Sequence, residues 1–173
     1  MALVGTIGDW FADWVWGLLL VTVSLVIHAV GIALIGVLVP RWLGGPATGG
    51  RMRLPFVRFS SVIAAASLTL AILHGFEAFV WASAYLALGA SDTLHDAIFL
   101  SLQMTTTLGP TEGHLQPGWR LMGPLEAVAG MLAFGLSTAF LFAVFQRVSP
   151  FASADVVRPP PAGRDPSKRR DSQ

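Results

Sequence analysis

Ser101-Leu102-Gln103-Met104-Thr105-Thr106-Thr107-Leu108-Gly109-Pro110-Thr111-Glu112 is a polar, threonine-rich run inside a very apolar chain. One long hydrophobic stretch ends before it near Gly89, and another begins after it near Leu121. Irregular polar backbone between apolar helices is tolerated in a membrane where it lines a water-filled path. The run therefore reads as a pore loop, and the rest of the chain as its scaffold.

The composition agrees. Of 173 residues, 54% are hydrophobic and 12% charged, where a soluble domain carries about 25% charge. The charges gather at loops and ends, which is the pattern of transmembrane helices. The chain has no cysteine, so disulfides, thiolate metal sites and cysteine nucleophiles are excluded together.

Before the polar run, Ser91 or Asp92 is expected to cap a short helix with His95 and Asp96 in its first turn. Ala97 to Gln103 is too short to span and fits a re-entrant half-helix ending at the threonines. Behind it, Phe59 to Gly89 is a spanning helix about ten residues longer than the ~20 that a crossing needs. It carries His74 and Glu77 near its middle, with Trp81 and Tyr85 toward the end where interfacial aromatics belong. After the run, residues 112–120 read as a return loop, and Leu121 to Val148 as a further spanning helix containing Gly123, Gly130 and Gly135.

Upstream, residues 15–39 form a first spanning helix that Pro40 should stop, behind an interfacial lead-in over 1–14. Residues 40–58 hold Arg41, Arg51, Arg53 and Arg58 with no acid. Beside a membrane helix the positive-inside rule explains these better than a nucleic-acid patch, so no nucleic-acid partner is expected. Residues 149–173, with Pro159-Pro160-Pro161 and Lys168-Arg169-Arg170, read as a disordered basic tail. An outside N-terminus puts the arginine loop and the tail in the cytoplasm, with ten of the eleven Lys and Arg residues inside and Arg120 outside. The expected location is the cell membrane.

Helix, half-helix, polar loop, helix resembles the pore module of the potassium-channel superfamily over residues 59–148. The filter of that family has the form T-T-x-G-Y-G-D, and here Thr106, Thr107, Leu108, Gly109, Pro110, Thr111 and Glu112 stand at those places. Its inner helix often carries V-A-G-x-x-x-F-G-L-x-T-A, matched by Val128-Ala129-Gly130, Phe134-Gly135-Leu136 and Thr138-Ala139. The whole chain also resembles small bacterial membrane proteins grouped with these channels that have one extra helix before the pore module.

The resemblance implies an all-α membrane protein, three spanning helices plus a pore half-helix, assembled as a homotetramer. It implies passive movement of potassium or another monovalent cation, with no catalysed chemistry, no cofactor and no metal. The filter departs from the pattern: Thr111 replaces the second glycine, and Pro110 replaces the tyrosine and fixes φ near −65°. Potassium selectivity is therefore not carried over. The alternative is a non-conducting homologue acting as a regulatory or assembly subunit.

Several roles stay open. Thr105, Thr106 and Thr107 either face a cation or cap the half-helix. Glu112 either rings the outer mouth or is held by a neighbour. Gly130 is either a hinge or a close-packing site; Gly135 is expected to pack. By the match, Met131, Phe134, Thr138 and Phe142 share a cavity face, with Phe142 a candidate constriction or a lipid-facing ring. His74 and Glu77 lie three apart on one helical face, within reach of His28. They form a structural lock, a proton sensor or a two-histidine, one-carboxylate metal site. Glu126 is expected to brace the loop from behind.

Overall fold

A computed structural model describes residues 2–42, 55–111 and 114–149. Four α-helices follow in order: α1 (Ala2–Trp42), α2 (Phe56–Ala87), α3 (Leu94–Thr105) and α4 (Met122–Val148), with a 3-10 turn at Pro117–Trp119 before α4. There is no strand among the described residues. Three helices are long and apolar enough to cross a membrane, over Phe11–Leu38, Phe56–Ala87 and Pro117–Val148.

The long helices are apolar on all sides. Val15, Leu18, Val26, Val30 and Leu34 of α1, and Leu68, Ile72 and Phe76 of α2, stand exposed. A helix without a polar face has lipid or other protein as its solvent. The first helix is continuous through the lead-in region and passes Pro40 to end at Trp42, where the sequence reading ends it at Pro40. A proline near a helix end removes only one late hydrogen bond, so the helix need not stop there.

Two cores form at opposite ends of the bundle. One gathers Leu20, Trp81, Tyr85, Ala97, Leu100, Met122 and Leu125; the other gathers Ile35, Val62, Leu70, Val144 and Val148. The order of these residues makes α1 and α4 run in one direction and α2 in the other. Helices pass closely where side chains are small. A Cβ at Gly17 would meet Leu125 Cδ1 at 2.3 Å, and one at Gly31 would meet Leu73 Cδ2 at 2.6 Å.

The short helix belongs to the first core alone. Thr93, rather than Ser91 or Asp92, is its N-cap: the Thr93 hydroxyl accepts from Asp96 N–H at 3.1 Å and donates to Asp96 Oδ2 at 2.7 Å. That hydroxyl, with His95 second, holds the Asp96 carboxyl below the usual range. Twelve residues give α3 a length of about 18 Å, roughly half of a crossing. The excursion is closed at its base, because Gln116 N–H donates to Ala90 C=O at 3.0 Å. Trp81 and Tyr85 do not point out of the bundle. Both are buried, and Trp81 Nε1 donates to Ser24 Oγ of α1 at 2.8 Å.

Candidate functional site

The polar run begins as a helix terminus. Thr107 N–H donates to Met104 C=O at 2.9 Å and Leu108 N–H to Gln103 C=O at 3.0 Å. With Thr107 at φ 61°, these bonds make a Schellman ending. The second helix ends in the same way, with Gly89 at φ 67° in the equivalent position. Glycine takes a left-handed φ freely; a β-branched threonine there is strained by about 1–2 kcal/mol. Thr107→Gly is therefore expected to raise stability by about 1 kcal/mol, read as a higher midpoint in thermal unfolding in detergent. An unchanged or lower midpoint would contradict the strain.

The hydroxyl of Thr106 is spent on the helix end, donating toward Leu102 C=O (2.8 Å) and Gln103 C=O (3.2 Å). Thr107 and Leu108 are exposed, and Gly109 takes φ 76°. Gln103 then ties the far side of the loop back: its amide N–H donates to Thr111 Oγ1, and its Oε1 accepts from Thr111 N–H at 3.4 Å. Thr107, Gly109 and Pro110 line an open groove of about 430 Å³ together with His114, Arg120 and Pro124. Glu112, the candidate outer acid, lies outside the described residues.

Glu126 supports this loop from behind. It is 1% exposed and takes hydrogen bonds from Tyr85 on Oε2, and from Ser101 and Thr105 on Oε1, the last at 3.1 Å. Ser101 Oγ also lies 2.8 Å from Ala78 C=O, so one carboxylate joins α2, α3 and α4. Asp13 of α1 completes the frame by accepting from Leu121 N–H at 3.0 Å, at the start of α4, where an acid suits the helix dipole. Thr105 is buried in this frame, with its hydroxyl turned to Glu126.

Below the brace, α4 crosses the end of α3 at Gly130. A Cβ there would sit 2.2 Å from Thr105 O and 2.9 Å from its carbonyl carbon. Of the two readings for Gly130, this contact supports close packing. Nothing lies within 4 Å of a Cβ built at Gly135. Met131, Thr138 and Phe142 share the same uncovered face, all exposed. Phe134 is also partly exposed but turns toward α2, with its ring stacked on His74 at 4.4 Å.

His28, His74 and Glu77 do meet, deep in the bundle between the two cores. His28 Nδ1 lies 2.8 Å from Glu77 Oε1, and the two imidazole centroids are 4.9 Å apart. Ser137 of α4 joins them through its Oγ, 3.0 Å from His28 Nε2 and 3.1 Å from His74 Nε2. The sequence reading omits Ser137, and it names Ser101 and Gln103 as part of the polar run without giving them partners. The usable signal was their polarity on otherwise apolar helices, where an unpaired polar group is costly. Comparison with protein-family models, curated proteins and solved structures gives no match, so the reading stands on these residues and their geometry.

Proposed function

We propose that this chain is the subunit of a passive monovalent cation channel in the cell membrane. Four copies surround one path, with the N-terminus outside and the tail in the cytoplasm. The carrying observation is the α3 excursion. A half-length helix leaves and rejoins the bundle at one point, ends in an exposed threonine–glycine loop, and lies between two apolar helices. Helix C-termini carry partial negative charge, so four α3 ends aimed at one axis would favour a cation there.

Loop carbonyls would take the place of the ion's water, with Thr107 and Gly109 at the core of the filter. The uncovered α4 face of Met131, Thr138 and Phe142 supplies the inner lining, with Phe142 as its constriction. Pro110 and Thr111 make the upper filter unlike a potassium filter, so selectivity is relaxed. No metal, cofactor or reaction enters this function. Purified protein in liposomes, with its tetrameric mass verified, is expected to admit thallium or rubidium. Verified tetramers that pass neither ion would instead support the non-conducting, assembly-subunit reading.

A further inference from the structure

Four side chains from three helices close a ring in the middle of the bundle. His28 and His74 both turn Nε2 to one hydroxyl, Ser137 Oγ, at 3.0 and 3.1 Å. Both turn Nδ1 to one carboxylate: His28 reaches Glu77 Oε1 at 2.8 Å, and His74 stands 3.5 Å from Glu77 Oε2. His74 Nδ1 is buried and has no hydrogen-bond partner at that distance.

Hydrogen counting explains the odd contact. Each of the four contacts in the ring needs one hydrogen. A neutral histidine brings one, a serine one, and an ionised carboxylate none. Neutral His28 and His74, Ser137 and ionised Glu77 therefore hold three hydrogens for four contacts. If His28 donates to Glu77, Ser137 donates to His28 and His74 donates to Ser137, then His74 Nδ1 aims a lone pair at the carboxylate. The contact left without a hydrogen is the one that is long and unpartnered.

One added proton fills it and takes the net charge of the ring from minus one to zero. That change is favourable where water is excluded, and His28 and Glu77 are 0% and 4% exposed. A second proton, or a divalent metal on the same donors, would leave a net positive charge in the same apolar place. No other charged group among the described residues offsets this balance. The nearest charged or titratable residues along each helix are Arg41 and Asp13 on α1, Tyr85 and Arg58 on α2, and Glu126 and Arg147 on α4, each about 12 Å or more away by helical rise.

We infer that this ring is a proton-binding site, taking up one proton per chain between His74 and Glu77 and so fastening α4 to α1 and α2. Two α4 groups sense the occupancy: Ser137, and Phe134, whose ring lies parallel to His74 within 22° and gains a cation–π contact when the imidazole is charged. That the proton also adjusts conduction rests on the channel reading, since α4 is then the pore-lining helix.

The test uses the full chain in lipid nanodiscs with ¹⁵N-labelled histidine. His95→Gln and His114→Gln remove the two exposed histidines and leave His28 and His74 as the only two. Between about pH 8 and pH 5 we expect one imidazolium per chain to form, with both rings shifting at one midpoint. Glu77→Gln supplies the missing hydrogen from its amide, so both rings should then stay neutral throughout. The parent titration decides the matter even if that variant does not fold. Two independent midpoints, no imidazolium at about pH 5, or stoichiometric metal by elemental analysis would overturn the inference. Thallium flux across the same pH range separates the two readings. A titrating ring without flux at any pH sinks the channel and keeps the proton site; flux without ring titration does the reverse.

Discussion

Glu126→Ala is expected to lower stability by on the order of 4 kcal/mol, near the upper end for one substitution. The hydroxyls of Tyr85, Ser101 and Thr105 all donate to this carboxylate, in a place from which solvent is excluded. A buried donor that loses its acceptor costs about 1–3 kcal/mol, and only Ser101 keeps a second acceptor, in Ala78 C=O. The damage should concentrate on α3, because, Ser101 to Ala78 C=O aside, it is held to the long helices by apolar packing. Thermal unfolding followed by circular dichroism in detergent reads the loss, and cation flux should fall with it. Glu126→Gln keeps one acceptor oxygen and should lose less than half as much. An Ala variant as stable as the parent would show that the brace contributes nothing.

The second large effect is expected at Gly130, where its sign separates two mechanisms. If this glycine served as a hinge, Gly130→Ala would stiffen α4 and raise helix stability by about 1 kcal/mol. The structure points the other way, since the added Cβ falls 2.2 Å from Thr105 O, which is backbone and cannot swing aside. Either α3 or α4 must shift, at a cost of about 1–3 kcal/mol. The loop that follows Thr105 would move with it. Gly130→Ala should therefore unfold at lower temperature and lose flux, and Gly130→Val should be worse. Gly135→Ala is the control: nothing lies within 4 Å of that Cβ, so only its helix propensity should change. A Gly130→Ala protein more stable than the parent would overturn the packing role.

Much of the fold was legible because lipid-facing helices announce themselves. Apolar runs of 28 to 32 residues with no more than three charged side chains each have few other uses, and the excess of apolar surface over any core that 173 residues can bury points the same way. The half-helix was legible from its length and from the polar run that ends it. Partners were harder to read. Thr105 meets Glu126 across 21 positions and His28 meets Ser137 across 109, and nothing local distinguishes such residues from serines and threonines that bond their own helix, as Thr22, Ser61 and Thr138 do.

Trp81 and Tyr85 show the same limit. An aromatic near the end of an apolar helix looks alike in sequence whether it faces headgroups or Ser24 and Glu126. At the start of α3, Ser91, Asp92 and Thr93 are all good caps. Thr93 takes the role, and with the helix starting at Leu94 both Ala97 and Leu100 enter the core. The threonine run had two readings, cation-facing and capping. Thr106 and Thr107 do end the helix, and Thr107 still stands exposed on the groove beside Gly109 and Pro110.

The central claim is that residues 106–111 form the narrow part of a cation path. Single-channel recording in a planar bilayer with potassium on one side and sodium on the other tests it most directly. Unitary cation currents are expected, with a reversal potential near zero. In the Pro110→Tyr, Thr111→Gly double variant that potential should move toward the potassium equilibrium value. No unitary current from verified tetramers, or a reversal potential that the double variant leaves unchanged, would contradict the account.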